Sequence, residues 1–198
     1  LCRVITEYWR RKIGNIHFIS DCGGRNLLER VQFSIDNGAS ACYVQGESAD
    51  RLARDGNFDL IGQALELTRE NGLPAGIGAH SLETVTGCVE HGLEPDFWMK
   101  TLHHCDYWSA QKENQHDNIW CVNPEETIAY MEQLPQPWIA FKILAAGAIH
   151  PEVGLKYAFE KGADFVCVGM YDFQIVEDAN MALNVLSQPL ERRRPWRA

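Results

Sequence analysis

Two lysines of this chain, Lys100 and Lys142, lie within apolar, strand-like runs that follow one another along the sequence. If those runs are neighbouring strands of a parallel barrel, the two ammonium groups lie close together and repel each other. Repulsion lowers the pKa of one amine, which then becomes a nucleophile near neutral pH. Such an amine condenses with a carbonyl group to a Schiff base. The alternative is that each lysine neutralises a carboxylate, Asp21 or Glu47.

The elements that would position these lysines follow from a pattern that recurs along the chain. A helix-like stretch ends on glycine and an apolar strand-like run follows, at 37–44, 71–78, 91–99 and 161–168. Glycine accepts the left-handed conformation that ends a helix, so the recurrence predicts a parallel sheet covered by helices. The predicted strands are 16–20, 41–45, 75–79, 97–102, 138–144 and 165–170. The predicted helices are 26–37, 58–71, 82–91, 124–134, 152–161 and 176–187.

The number of these units decides the fold class. Eight βα units close a barrel, whereas six do not. We therefore predict an α/β fold, a parallel (β/α)8 TIM-type barrel truncated at its N-terminus to six βα units, in one domain spanning 1–198. An open doubly wound sheet, complete as it stands, is the alternative. The arginine-rich segment 190–198 is predicted to be a solvated basic tail.

Side-chain alternation predicts which residues face the barrel interior. Because a lysine is not expected in the helix layer, Lys100 would face the interior with Trp98, Leu102 and His104. The same argument places Lys142 inside. Polar residues then gather at the carboxyl ends of the strands, where barrels hold their active sites. The predicted catalytic residues are Lys100, Lys142, Asp21 and His80, and the predicted substrate-binding residues are Glu47 and His104.

Glycines after the last two predicted strands bear on the kind of substrate. Gly147 and Gly169 occupy places where many barrels cradle a phosphate with backbone N–H groups, close to helix amino ends. Asp172 places a carboxylate where that anion would lie, which disfavours phosphate. We predict that all three residues bind a small oxygenated carbonyl substrate, and phosphorylated and unphosphorylated forms both stay open.

The two lysine strands resemble a known enzyme family. Met99-Lys100-Thr101 and the run from Phe141 to Ile149 (FKILAAGAI) are similar to the lysine strands of the deoxyribose-phosphate aldolases. The resemblance implies that Lys100 forms the Schiff base and that Lys142 lowers its pKa. The FKILAAG run also resembles a group of bacterial barrel proteins without an assigned reaction. The function expected is thus that of a class I, aldolase-like lyase without a cofactor.

Two other functions are compatible with the same residues. A divalent metal held by carboxylate and imidazole ligands would make the chain a sugar isomerase or a hydrolase. The candidate ligands are Asp21, Glu47, His80 and His104. If the first two strands are absent from the working protein, the chain is instead an inactive barrel fragment or a non-catalytic subunit, and its exposed sheet edges favour association.

Composition limits the partners. A formal net charge of −9 argues against nucleic acid, which binds basic surfaces. No apolar run reaches the roughly 20 residues that span a bilayer, so no membrane contact is expected. Seven cysteines without a C-x-x-C pair indicate a reduced, cytoplasmic protein. A small-molecule substrate is the expected partner, and a homo-oligomer is possible.

Overall fold

A computed structural model describes residues 2–14, 16–110 and 118–197. Its centre is one sheet of six parallel strands, hydrogen-bonded in sequential order. The strands are β1 (Ile19–Cys22), β2 (Ala41–Val44), β3 (Ala75–Ala79), β4 (Phe97–Thr101), β5 (Trp138–Phe141) and β6 (Phe165–Cys167). The predicted parallel α/β fold is confirmed. The doubly wound alternative is wrong, because that fold requires a reversal of strand order.

Eight helices are described, and six of them, the second to the seventh, lie between successive strands. The eight are α1 (Cys2–Arg10), α2 (Leu27–Asp36), α3 (Gly46–Arg54), α4 (Phe58–Glu70), α5 (Leu82–Glu90), α6 (Pro124–Met131), α7 (Pro151–Glu160) and α8 (Ile175–Leu186). Short 3-10 turns occur at Ala145–Gly147 and Asp172–Gln174. None of the described helices is long and apolar enough to cross a bilayer. Helix α3 was not predicted, and it carries a residue that proves important for the site.

The two faces of the sheet have different surroundings. Ile77, Trp98 and Trp138 are buried in the main core, which also contains the apolar residues of the helices. Phe97 and Met99 belong to a separate small cluster on the opposite face. Right-handed connections between sequential parallel strands put all the helices on one side. The second face is therefore the concave inner face of a half-barrel.

The edge strands β1 and β6 curl towards each other around this concave face, which makes the sheet a half-barrel. Burial raises the pKa of the Cys167 thiol, and the Asp21 carboxylate raises it further although the two residues stand on opposite edge strands. Ile19 and Phe165, also on the edges, are each 47% exposed. Both are in register with residues of the inner cluster, so the apolar inner face continues to the two open edges.

The predicted alternation on β4 is inverted. Lys100 pairs with Ala79 and Ala140, which belong to the main core beside the helices. Trp98 and Leu102, on the same side, are also in that core, while Met99 lies on the inner face. The expectation that a lysine avoids the helix layer is wrong here because backbone carbonyl groups receive its hydrogen bonds, as described below.

The C-terminal segment is not a solvated tail. Arg194 is 3% exposed, and its guanidinium binds the carboxylate of Asp164 and the carbonyl oxygens of Met131 and Leu134. Arg192 also contacts Asp164, at 3.2 Å. Asp164 itself accepts a 2.9 Å hydrogen bond from the backbone N–H of Trp138, at the start of β5. The segment therefore packs against the amino-terminal end of the sheet.

Candidate functional site

Lys142 follows β5 and marks the carboxyl end of the sheet. Its backbone has a left-handed conformation (φ 57°), which is rare for a residue with a side chain and redirects the chain at the end of the strand. The side chain is half-buried, and its Nζ lies 3.1 Å from the centroid of the Trp120 indole ring. A cation at that position is attracted by the face of the ring. Lys142 is thus held at the mouth of the half-barrel.

A cavity of about 830 Å³ opens beside this lysine. The residues around it come from the ends of β5 and β6, from Trp120 and from the start of α8. Its lining includes Trp120, Phe141, Lys142, Leu144, Tyr171 and Asp178. The volume is that of a small-molecule site. The cavity combines aromatic walls with an amine and a carboxylate.

Lys100 has a different environment. Its side chain is completely buried, and its Nζ donates hydrogen bonds to the carbonyl oxygen of His80 (2.8 Å) and to the carbonyl and hydroxyl oxygens of Thr101 (3.2 and 2.9 Å). Burial lowers the pKa of this amine. The three acceptors match the three donors of an ammonium group. Lys100 links the ends of β3 and β4, and it does not line the cavity beside Lys142.

His80, directly after β3, is held by an aspartate that the sequence analysis did not identify. Its Nδ1 lies 2.9 Å from Oδ2 of Asp50, which belongs to α3. The hydroxyl of Thr84 and the backbone N–H of His80 also donate to this carboxylate. Burial raises the pKa of Asp50, but these hydrogen bonds outweigh it and the pKa lies below its usual value. Thirty residues separate Asp50 and His80 in sequence, so no local sequence motif indicates that they pair.

Trp120 connects the two groups. Its ring lies 5.1 Å from the His80 ring between centroids, and the Lys142 amine lies over the same indole. The backbone at Trp120 is held by His103, whose Nε2 accepts hydrogen bonds from the N–H groups of Trp120 (3.0 Å) and Cys121 (2.9 Å). Burial lowers the pKa of His103, in keeping with a neutral imidazole that accepts at Nε2. His103 therefore has a structural role that alternation alone did not reveal.

The other predicted polar residues are dispersed. Asp21 lies on the inner face at the end of β1, where the Tyr43 hydroxyl donates to it at 3.2 Å. Glu47 is exposed in the first turn of α3, so its predicted position on a strand is wrong. His104 follows β4, accepts the N–H of Asp106 at Nδ1 and packs against a tyrosine ring edge. Within the described parts of the chain, no three His, Cys, Asp or Glu side chains come together as metal ligands.

The three predicted substrate-binding residues that follow β5 and β6 do not form a phosphate cradle together. The N–H of Gly147 donates to the carbonyl oxygen of Leu144 at 2.8 Å, so it is directed into its own turn. Gly169 lies at the exposed rim of the large cavity. Asp172 is exposed, and its carboxylate accepts the N–H of Phe173 at 2.9 Å. Of this set, Gly147 and Gly169 line the cavity of Lys142, and Asp172 is instead the first residue of the 3-10 turn that precedes α8.

Comparisons with known proteins add no family. No protein-family model matches this chain, and no curated protein matches it significantly. The likeness of the two lysine strands to the deoxyribose-phosphate aldolases therefore stays a prediction from short motifs. The case for function depends on the geometry of the residues themselves.

Proposed function

We propose that this chain forms six consecutive units of a (β/α)8-barrel enzyme that acts through a Schiff base between Lys142 and a small oxygenated carbonyl compound. One observation carries the proposal. Of the two candidate lysines, Lys142 lines the large cavity at the carboxyl ends of the strands, while Lys100 is completely buried. Active sites of parallel barrels lie at that end.

A second cavity, on the inner face of the sheet, favours the proposal that the sheet is part of a closed barrel. This cavity, of about 660 Å³, is lined by apolar side chains such as Tyr43, Met99 and Ile139. Side chains from all eight strands fill the interior of a closed barrel. Two further strands between β1 and β6 would fill this space and cover Ile19 and Phe165.

The chemistry assigned to Lys142 requires an accessible amine. The amine nitrogen attacks the carbonyl carbon, and the carbonyl oxygen leaves as water when the C=N bond forms. Phe141 and Leu144 supply apolar walls beside the nitrogen. This assignment departs from the aldolase resemblance, which implies that Lys100 forms the imine and that Lys142 lowers its pKa. We assign Lys100 to holding the ends of β3 and β4 in place.

The substrate we propose is small and unphosphorylated. The N–H of Gly147 is directed into its own turn, and the carboxylate of Asp178 lines the cavity, so the surroundings do not favour a dianion.

Free thiols in the described residues support a reducing compartment such as the cytoplasm as the proposed location. They are Cys22, Cys42, Cys88, Cys105, Cys121 and Cys167.

Reductive trapping tests the proposal. The wild-type protein, treated with hydroxyacetone and borohydride, should gain the mass of one reduced adduct. Lys142→Met should gain none under the same conditions. Lys156→Met is the matched control, because Lys156 is an exposed lysine of α7 paired with Glu160, and it should trap as the wild type does. If Lys142→Met traps as well as the wild type, the proposal is wrong.

A further inference from the structure

The Asp50–His80 pair has the geometry of a positioned base. The carboxylate accepts from the ring nitrogen Nδ1 through Oδ2 at 2.9 Å, while Oδ1 accepts from the Thr84 hydroxyl at 2.7 Å and from the N–H of Ser81 at 3.4 Å. Both side chains of the pair are mostly buried, with 13% of Asp50 and 21% of His80 exposed. An ionised carboxylate can only accept, so Nδ1 must carry the proton of the neutral ring. Nε2 is then the basic nitrogen.

The surroundings place this base next to the proposed reaction. His80 and Asp50 line a cavity of about 530 Å³, and Trp120 lines both this cavity and the larger one that holds Lys142. Trp120 is thus a wall common to the two cavities. The Lys142 amine lies 3.1 Å, and the centroid of the His80 ring 5.1 Å, from the centroid of its indole, so the amine and the imidazole are near neighbours.

We propose that His80 is the acid–base residue of the Lys142 reaction, that Asp50 is its positioning residue, and that the substrate is a β-hydroxy carbonyl compound. This inference rests on the proposed Schiff base. In such a compound the hydroxyl is carried by the second carbon from the imine carbon, so the two reacting groups are a short carbon chain apart. The amine of Lys142 and the imidazole of His80 both lie against Trp120, which fits a substrate that reacts at two neighbouring positions.

The reaction proposed for this site cleaves the bond between the α and β carbons of the imine. Nε2 of His80 removes the proton of the β-hydroxyl, and the oxygen's electron pair forms a new C=O bond. The bond between the α and β carbons breaks, and its electron pair forms the C=C bond of an enamine while the iminium nitrogen becomes neutral. One aldehyde or ketone leaves. Asp50 stabilises the imidazolium that results, and the reverse sequence joins the two carbonyl compounds.

The ring tautomer tests Asp50 without any substrate. In ¹⁵N NMR spectra, assigned by the loss of one ring in His80→Gln, neutral His80 should carry its proton on Nδ1. In Asp50→Asn, Thr84 and Ser81 keep the amide oxygen on their side, so the amide NH₂ faces Nδ1 and the proton should move to Nε2. A wild-type ring protonated at Nε2 would overturn the positioning role, even if the variant does not fold.

Cleavage of a simple probe tests His80. 4-Hydroxy-2-butanone would be split into acetone and formaldehyde, and the formaldehyde can be measured. His80→Gln should release it at least about 100-fold more slowly, with trapping at Lys142 retained. His91→Gln, which removes an exposed imidazole at the C-terminal end of α5, should cleave the probe at the wild-type rate. Trapping with undiminished cleavage in His80→Gln overturns this inference alone, whereas no adduct in the wild type overturns the proposed function and this inference together.

Discussion

The two ends of β5 and β6 hold positive charge in opposite ways. At the amino-terminal end, Arg192 and Arg194 are buried around Asp164, and backbone carbonyl groups accept most of their remaining N–H groups. At the carboxyl end, Lys142 is half-buried over an indole ring and lines an open cavity. At the amino-terminal end, a buried carboxylate neutralises the guanidinium groups. At the carboxyl end, the amine lines a cavity that a small molecule can enter.

This difference matches the division of labour in parallel barrels, whose amino-terminal end serves stability and whose carboxyl end serves chemistry. Lys100 is intermediate. It lies at the carboxyl end, yet its Nζ donates three hydrogen bonds to carbonyl and hydroxyl oxygens of His80 and Thr101. A place at the end of a strand alone therefore does not bring a lysine to the cavity. Access to the cavity separates Lys142 from Lys100.

The largest effect on stability is expected at the amino-terminal end. Asp164→Ala leaves two buried guanidinium groups without their carboxylate and removes the acceptor of the Trp138 N–H. The free energy of unfolding should fall by about 3–5 kcal/mol in urea titrations. Glu132→Ala, which removes an exposed partner of Arg193, should cost no more than about 0.5 kcal/mol. Equal losses in the two variants would show that the buried Asp164 cluster stabilises this end of the sheet no more than an exposed ion pair does.

A smaller effect is expected in the pH dependence of the free energy of unfolding, to which the buried amine of Lys100 contributes. Burial lowers the pKa of Lys100 in the folded state, so between that value and about 10.4 the unfolded chain binds more protons. The free energy of unfolding contributed by Lys100 should therefore rise with pH in this range, by up to about 1.4 kcal/mol per pH unit.

Urea titrations between pH 7 and pH 10 measure that rise. Lys100→Met should lack it, because methionine has no proton to lose. Lys156→Met, which removes the exposed lysine paired with Glu160, is the matched control and should keep the wild-type rise. Parallel pH profiles for the wild type and Lys100→Met would show that Lys100 is not buried as described.

The sequence was sufficient for the sheet because its signals are local. Predicted strand 75–79 agrees with β3 at both ends, and the glycines that end α2, α4, α5 and α7 have positive φ values. The predicted strand 138–144 ends early, at Phe141, because Lys142 takes the left-handed conformation. A strand was expected to continue there on account of the apolar residues that follow, which enter a turn instead.

The site was harder to predict because its contacts join distant parts of the chain. Lys142 and His80 were identified from their places at strand ends, and the structure puts both against Trp120. Asp50 was missed since it lies on the unpredicted helix α3, a short and mostly polar segment in which Leu52 is the one large apolar side chain. Lys100 was assigned to the wrong face because alternation does not show whether backbone oxygens will receive a buried amine.

The most direct measurement is to locate the adduct. Wild-type protein trapped with hydroxyacetone and borohydride is digested, and the modified lysine is identified by mass spectrometry of the peptides. The account predicts the label on Lys142 and none on Lys100, because only Lys142 lines the cavity at the carboxyl end. A label on Lys100, with Lys142 unmodified, would contradict it.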